Sequence, residues 1–172
     1  ALSTQGGFYS STKRSCENII EDYANKYGLK FTILRYGSIY GSRSNSFNAL
    51  HNFVYQGLRF KKIERDGKGD EIRNYINVRD AAKITYKILL KKYKNKYVNI
   101  LGKEKIRVRS VIKLISNKLN IKRIIYKKNI ENIYNYKRYP FSYKIKKGLT
   151  LYPIRAINLN YGIDQLINEI KS

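Results

Sequence analysis

Tyr9 and Lys13 stand four positions apart, a spacing that on an α-helix puts a phenol and an ammonium on one face. A phenol with a pKa of ~10 is a poor base at neutral pH; bringing it down by ~3 units takes about 4 kcal/mol of preferential stabilisation of the phenolate. A neighbouring cation supplies part of that, and a phenol so tuned could take a proton from a hydroxyl group while hydride leaves the same carbon. Spacing alone does not single this pair out. With 17 Tyr and 24 Lys in 172 residues, chance gives roughly two Tyr-x-x-x-Lys matches, and there are two, Tyr9/Lys13 and Tyr143/Lys147. A tyrosine and a lysine on a solvated helix face is the bland alternative for either.

Few other residues offer chemistry. His51 is the sole histidine, within a helical pattern, and reads as a surface or partly buried residue. Cys16 is the sole cysteine; it excludes an internal disulfide, fits a reducing cytoplasm and reads as a small packing residue. No zinc or calcium ligand spacing is present. The Tyr-rich segment 134–143 could stack on bases, though aromatics sealing a lobe fit it better.

The elements that must carry these groups follow an α/β rhythm. Residues 9–27 predict an amphipathic helix with Ile19, Ile20, Tyr23 and Ala24 on its apolar side, stopped by Gly28. Lys30 to Tyr36 is the mostly apolar run of a buried parallel strand, and it ends in a glycine-containing loop, Gly37 to Ser42. A helix over 46–58 has Phe47, Leu50, Phe53, Val54 and Leu58 apolar. A turn at Asp66 to Asp70 leads into a strand from Ile72 to Val78, and Asp80 can cap a helix from Ala81 to about Leu90. A short strand at Val98 to Gly102, a helix over 108–119, a strand from Ile121 to Tyr126 and a last helix over 161–170 complete the chain. No stretch is apolar enough to span a membrane, and there is no internal repeat.

Read together, four segments resemble the extended short-chain dehydrogenase/reductase family, and within it the NAD-dependent nucleotide-sugar epimerases and dehydratases. Tyr9-Ser10-Ser11-Thr12-Lys13-Arg14-Ser15-Cys16-Glu17 resembles that family's catalytic helix, which also carries an acid at the last of these positions. Leu34-Arg35-Tyr36-Gly37-Ser38-Ile39-Tyr40-Gly41-Ser42-Arg43 is similar to L-R-x-x-N-x-Y-G-P-R. Gly67 to Ala82 is similar to G-x-G-x-x-x-R-D-Y-I-H-V-x-D-x-A, and Val98-Asn99-Ile100 with the following helix is like V-Y-N-I-G. In the family's order and at its ordinary spacing, the four cover about residues 8–120.

The resemblance implies a Rossmann-like, doubly wound parallel sheet with a small substrate lobe. Residues 1–41 and 86–120 would be the remainder of the dinucleotide-binding domain, and 42–85 and 121–172 mainly the lobe. It implies Tyr9 as acid/base, Lys13 as its partner and ribose ligand, and Tyr36 and Gly37 beside the nicotinamide of NAD, with NADP left open. Ser38, in place of the usual Asn, would contact the substrate, Arg73 its diphosphate, and Arg43 secondarily the same group. The substrate would be a nucleotide sugar, the full-length protein a homodimer, and the compartment the cytoplasm. Departures are equally plain. The strand, the G-x-x-G-x-x-G turn and the ribose-binding acid are absent, and the family's catalytic Ser or Thr would precede Ala1, since Ser3 and Thr4 lie too near Tyr9. Asn77 stands for a common His and Ser42 for a common Pro. The expectation is therefore a C-terminal half, inactive by itself.

The charge invites a rival. Net charge is +24, concentrated in residues 91–172, where 21 basic side chains face 4 acidic ones. That balance suits a polyanionic partner, but the cations are scattered and no nucleic-acid-binding motif accompanies them. A basic nucleic-acid-binding protein and an inactive gene remnant are the alternatives.

Overall fold

The computed structural model describes residues 7–127 and 148–172. Tyr143/Lys147, the aromatic segment 134–143, Ser3 and Thr4 lie outside the described residues. In chain order the elements are α1 (Gly7–Tyr27), β1 (Thr32–Tyr36), β2 (Ser38–Tyr40), α2 (Ala49–Phe60), β3 (Lys62–Asp66), β4 (Ile72–Asn77), α3 (Val78–Ile88), β5 (Lys96–Ile100), β6 (Lys105–Arg107), α4 (Val108–Lys118), β7 (Arg123–Lys127), β8 (Leu149–Leu151) and α5 (Leu159–Lys171).

Helix α1 ends at Gly28, whose φ of 67° is the left-handed conformation that glycine enters without a Cβ penalty and whose amide donates to the Ala24 carbonyl. The chain then enters β1, which pairs in parallel with β5, and β5 with β8. The starts of β1 and β5 are tied together: the Asn95 amide donates to the Phe31 carbonyl at 2.6 Å and the Thr32 hydroxyl to the Tyr93 carbonyl at 2.8 Å. Leu34 and Tyr36 face α3, packing with Ile84, Ile88, Val98 and Ile100. Arg35 and Tyr97 face the other way, toward α1.

After Gly37 the chain leaves this sheet for a second one. The loop predicted for residues 37–42 contains a strand, β2, because Ser38 to Tyr40 pairs in parallel with Tyr75 to Asn77 of β4. β6 runs antiparallel on the other side of β4, and β3 and β7 form a separate parallel pair. Parallel pairing thus dominates, and the α/β class read from the sequence holds.

The helices differ from expectation mainly at their starts. The predicted 46–58 helix begins at Ala49 because the Asn48 side chain caps it, accepting from the amides of Leu50 and His51. Phe47 therefore falls outside the apolar face and is 94% exposed. Asn77, not Asp80, is the N-cap of α3; Asp80, buried in the first turn, instead accepts from the Ile157 amide at 2.8 Å. On α1 the predicted apolar side splits: Ile20 and Ala24 are half-buried, while Ile19 and Tyr23 are exposed.

Two cores result. One gathers Leu50, Phe53 and Val54 of α2, Val111, Ile112 and Ile115 of α4, and Ile163, Leu166 and Ile167 of α5 around Tyr40 and Ile63. The other is the α3 layer on β1 and β5. Helix α4, which the predicted partition groups with residues 1–41, shares its core with α2 and α5. No helix among the described residues is long and apolar enough to cross a membrane.

Candidate active site

Tyr9 and Lys13 emerge from one face of α1, with the Lys13 Nζ 5.7 Å from the centroid of the Tyr9 ring. Both are exposed. The Thr12 hydroxyl, between them in sequence, turns back to the Tyr9 carbonyl at 3.0 Å and so stays within the helix's own backbone. A phenol and an ammonium side by side are a donor set that suits the hydroxyls of a ribose, the part of a nicotinamide nucleotide that such a face could hold.

Tyr36 and Gly37 lie at the carboxyl end of β1. The Tyr36 hydroxyl is 2.7 Å from the Thr85 hydroxyl of α3, so its side chain is committed to the face opposite α1, and only its backbone remains on offer at the strand's end. Gly37 continues the ladder by donating to the Ile100 carbonyl at 2.9 Å. A Cβ at this position would stand 2.5 Å from the backbone oxygen of Asn74, so the chain can cross from one sheet to the next here only as glycine.

Ser38 and Arg73 line one cavity of about 560 Å³, together with Asn48, Glu64, Arg65 and Glu71 among others. Neither Tyr9 nor Lys13 is in its lining. Arg43 is not either: it borders a neighbouring cavity of about 290 Å³, takes a φ of 61°, and donates its amide to Glu169 of α5 at 2.6 Å.

The two arginines of the larger cavity are not equivalent. Arg65 is neutralised by Glu71 at 2.6 Å, both side chains being about nine-tenths covered (10% and 12% exposed), and its Nε donates to the Asp66 carbonyl at 2.9 Å. Arg73 donates one guanidinium N–H to the Ile72 carbonyl at 3.2 Å and has no carboxylate partner among the described residues. A guanidinium has five donors, so Arg73 retains the capacity to bind an anion that Arg65 has spent. Glu64 on the cavity edge is held by Lys127 and Lys62, each at 2.7 Å, and its carboxyl is pulled down to about 2 by the Lys127 hydrogen bond first and the Lys62 bond next. Burial pushes the Tyr75 hydroxyl up to about 12, so it stays protonated.

Sequence reasoning did not single out Asn48, Arg65 or Glu71. The first carries a readable signal, an Asn directly before an apolar-periodic run, and its amide also donates to the Ile39 carbonyl at 2.8 Å, joining α2 to β2. The Arg65–Glu71 pair spans a glycine turn, and no periodicity announces it.

Comparison with known proteins bears on the family and the fold. The sequence profile described as the NAD dependent epimerase/dehydratase family matches residues 4–100. A provisionally named UDP-glucose 4-epimerase of Methanocaldococcus jannaschii is 27% identical over 168 residues, covering 95% of this chain and 53% of its own length. The fold is similar to that of the UDP-glucose 4-epimerase of Thermotoga maritima, solved with UDP-glucose, with a TM-score of 0.76 at 23% identity over 95% of this chain and 53% of that one. It is similar also to the dTDP-glucose 4,6-dehydratase of Bacillus anthracis in complex with NAD, with a TM-score of 0.79 at 21% identity over 96% and 52%. The chain spans about half the length of these relatives.

Proposed function

The chain belongs to the NAD dependent epimerase/dehydratase family, and from that premise we propose that it carries the acid/base pair and the diphosphate-binding pocket of a nucleotide-sugar epimerase or dehydratase. In this reading the first sheet with α1 and α3 is the remainder of the dinucleotide-binding domain, and the α2, α4 and α5 cluster is the substrate lobe. Tyr9 takes the proton from a sugar hydroxyl, with the Lys13 ammonium beside it on the same helix face. NAD, when bound, supplies the hydride acceptor for the carbon bearing that hydroxyl. Lys13 and Tyr9 also hold the nicotinamide ribose, and the backbone at Tyr36 and Gly37 borders the ring. Ser38 contacts the sugar, across a shorter reach than an Asn would have, and Arg73 binds the diphosphate; Arg43 is a secondary candidate for that contact.

The observation that carries this reading is Arg73, a guanidinium without a carboxylate partner among the described residues, in a cavity it shares with Ser38. The glycine-rich turn that cradles a dinucleotide's pyrophosphate is not among these 172 residues, and we take it to be supplied from outside them, so that the chain alone does not turn over. Its one cysteine suits a reducing cytoplasm, and a homodimer is the assembled form we propose. The test is calorimetric titration of the chain with UDP-glucose and dTDP-glucose, followed by turnover once a dinucleotide-binding half is fused or added. Arg73→Ala should weaken binding about 10- to 100-fold, the scale of a lost charge-assisted contact, and Tyr9→Phe should lower kcat about 10²- to 10⁴-fold with binding kept. Nucleotide-sugar binding unaffected by Arg73→Ala would sink the pocket assignment.

A further inference from the structure

Helix α1 is 21 residues long, yet none of its described side chains is buried. Its sheet-facing stripe is Ser10, Glu17, Ile20, Glu21 and Ala24, all only half-buried. Apolar packing therefore does little to hold it, and the contacts that remain are polar. Glu17 grips Arg35 of β1 in a two-point bond, Nε to Oε1 at 2.7 Å and Nη2 to Oε2 at 2.5 Å. The Arg35 guanidinium lies over the ring of Tyr97 on β5, 4.7 Å from its centroid. The Tyr97 hydroxyl donates to Glu21, one helical turn beyond Glu17, and Phe31 meets the Tyr97 ring edge-on at 6.2 Å.

We infer that Glu17, Glu21, Arg35 and Tyr97 are positioning residues: two carboxylates one turn apart, engaged with two adjacent strands, fix the tilt and rotation of α1 and thereby the place of Tyr9 and Lys13. The functional half of this statement rests on the acid/base reading of Tyr9. Lever arithmetic shows why such a device is needed. At ~1.5 Å per residue Tyr9 stands about 27 Å from the Tyr27 end, so a tilt of ~5° there displaces it by about 2 Å, whereas reacting groups need placing to within ~0.5 Å. The clamp grips the helix about 12 Å from Tyr9, well along that lever. Arginine suits the central place, since its planar fork pairs with both carboxylate oxygens while its face stacks on an aromatic ring.

The chain's single cysteine permits a direct test. Cys16 is exposed on α1, next to Glu17, and a nitroxide attached there reports the motion of the helix in the whole 172-residue chain. We expect a label immobilised as on a fixed helix. Arg35→Ala should make its motion at least about threefold faster, as for a segment released to nanosecond mobility, and Tyr97→Phe, which keeps the ring but loses the bond to Glu21, should give an intermediate value. A control label at Asn168→Cys on α5, in a Cys16→Ser chain, should not respond. A Cys16 label already mobile in the unaltered chain, or one indifferent to Arg35→Ala, overturns the clamp. Should Arg35→Ala loosen both labels, that variant has lost its fold and Tyr97→Phe decides: loosening at Cys16 alone supports the clamp, and no change overturns it. In the assembled enzyme Tyr97→Phe should lower kcat and leave KM for the nucleotide sugar unchanged, because the Arg73 cavity hangs on other elements. Full turnover by Tyr9→Phe would sink the acid/base reading while the label result stands on its own.

Discussion

Glu64 shows how single charges tune the pocket edge. Its two oxygens are each taken by a lysine, Lys62 within β3 and Lys127 at the end of β7, the strand that β3 pairs with. The carboxyl is held at about 2, below its ordinary 4.5, chiefly by the Lys127 bond. A carboxyl whose value is depressed in the fold contributes stability that is present above its unfolded value and disappears as pH falls through the folded one. Glu64→Gln should therefore lower the melting temperature at pH 7, and the gap to the unaltered chain should close between about pH 4.5 and 2. A gap that persists to pH 2 would mean that the glutamate acts through packing instead. The same scale limits what could be read beforehand. Tyr9 and Lys13 stand out as candidates only because three further segments follow them in order. The Arg65–Glu71 pair was not, since its meaning depends on a turn that folds two ordinary charged residues against each other.

Among the elements, α2, α4 and α5 were legible because each buries one apolar stripe in a common core, and β1, β4, β5 and β7 were legible from their short apolar or alternating runs. Helix α1 was legible as a helix but only half as to its face: Ile20 and Ala24 of the expected apolar side do lie in the stripe toward the sheet, but Glu17 and Glu21 share that stripe and no apolar pattern points to them. Strand β3 was missed for a related reason. Lys62 to Asp66 has one apolar residue, Ile63, fully buried, and four charged ones, of which Lys62 and Glu64 pair with each other while Glu64 and Arg65 also reach Lys127 and Glu71 outside the strand. The sequence predicts a loop for the passage from β1 to β2, yet Gly37 is a crossing between two sheets. Gly37→Ala tests it: a methyl 2.5 Å from the Asn74 backbone oxygen meets an atom that a strand cannot withdraw. The substitution should cost about 1–3 kcal/mol, read as a lower midpoint in urea, and should disturb nucleotide-sugar binding because Ser38 follows directly. An unchanged midpoint would show that the two sheets can part at no cost.

At the level of the whole molecule, the open side of the first sheet is the feature that most needs an explanation. Among the described residues β1 has β5 on one side and no strand on the other, although parallel strands are ordinarily interior and paired on both edges. The helix above it leaves Phe8 81%, Tyr23 56% and Tyr27 64% exposed. An unpaired parallel edge next to uncovered aromatics fits the proposal that a dinucleotide-binding half adds parallel strands beside it. A nucleic-acid surface would call instead for a contiguous cationic face, and several cations are already spent on carboxylates: Arg35 on Glu17, Arg65 on Glu71, Lys118 on Asp164. Adding a separately produced glycine-rich dinucleotide-binding half should then slow amide exchange in Thr32 to Tyr36 and raise the melting temperature in a concentration-dependent way, as linkage requires of a partner that binds only the folded chain. Protection should appear along β1 and α1 and spare α5, whose core is closed already. Protection confined to the Arg73 cavity, or a stabilisation matched equally by duplex DNA and abolished by moderate salt, would instead assign the open edge no partner of this kind and return the chain's charge to the foreground.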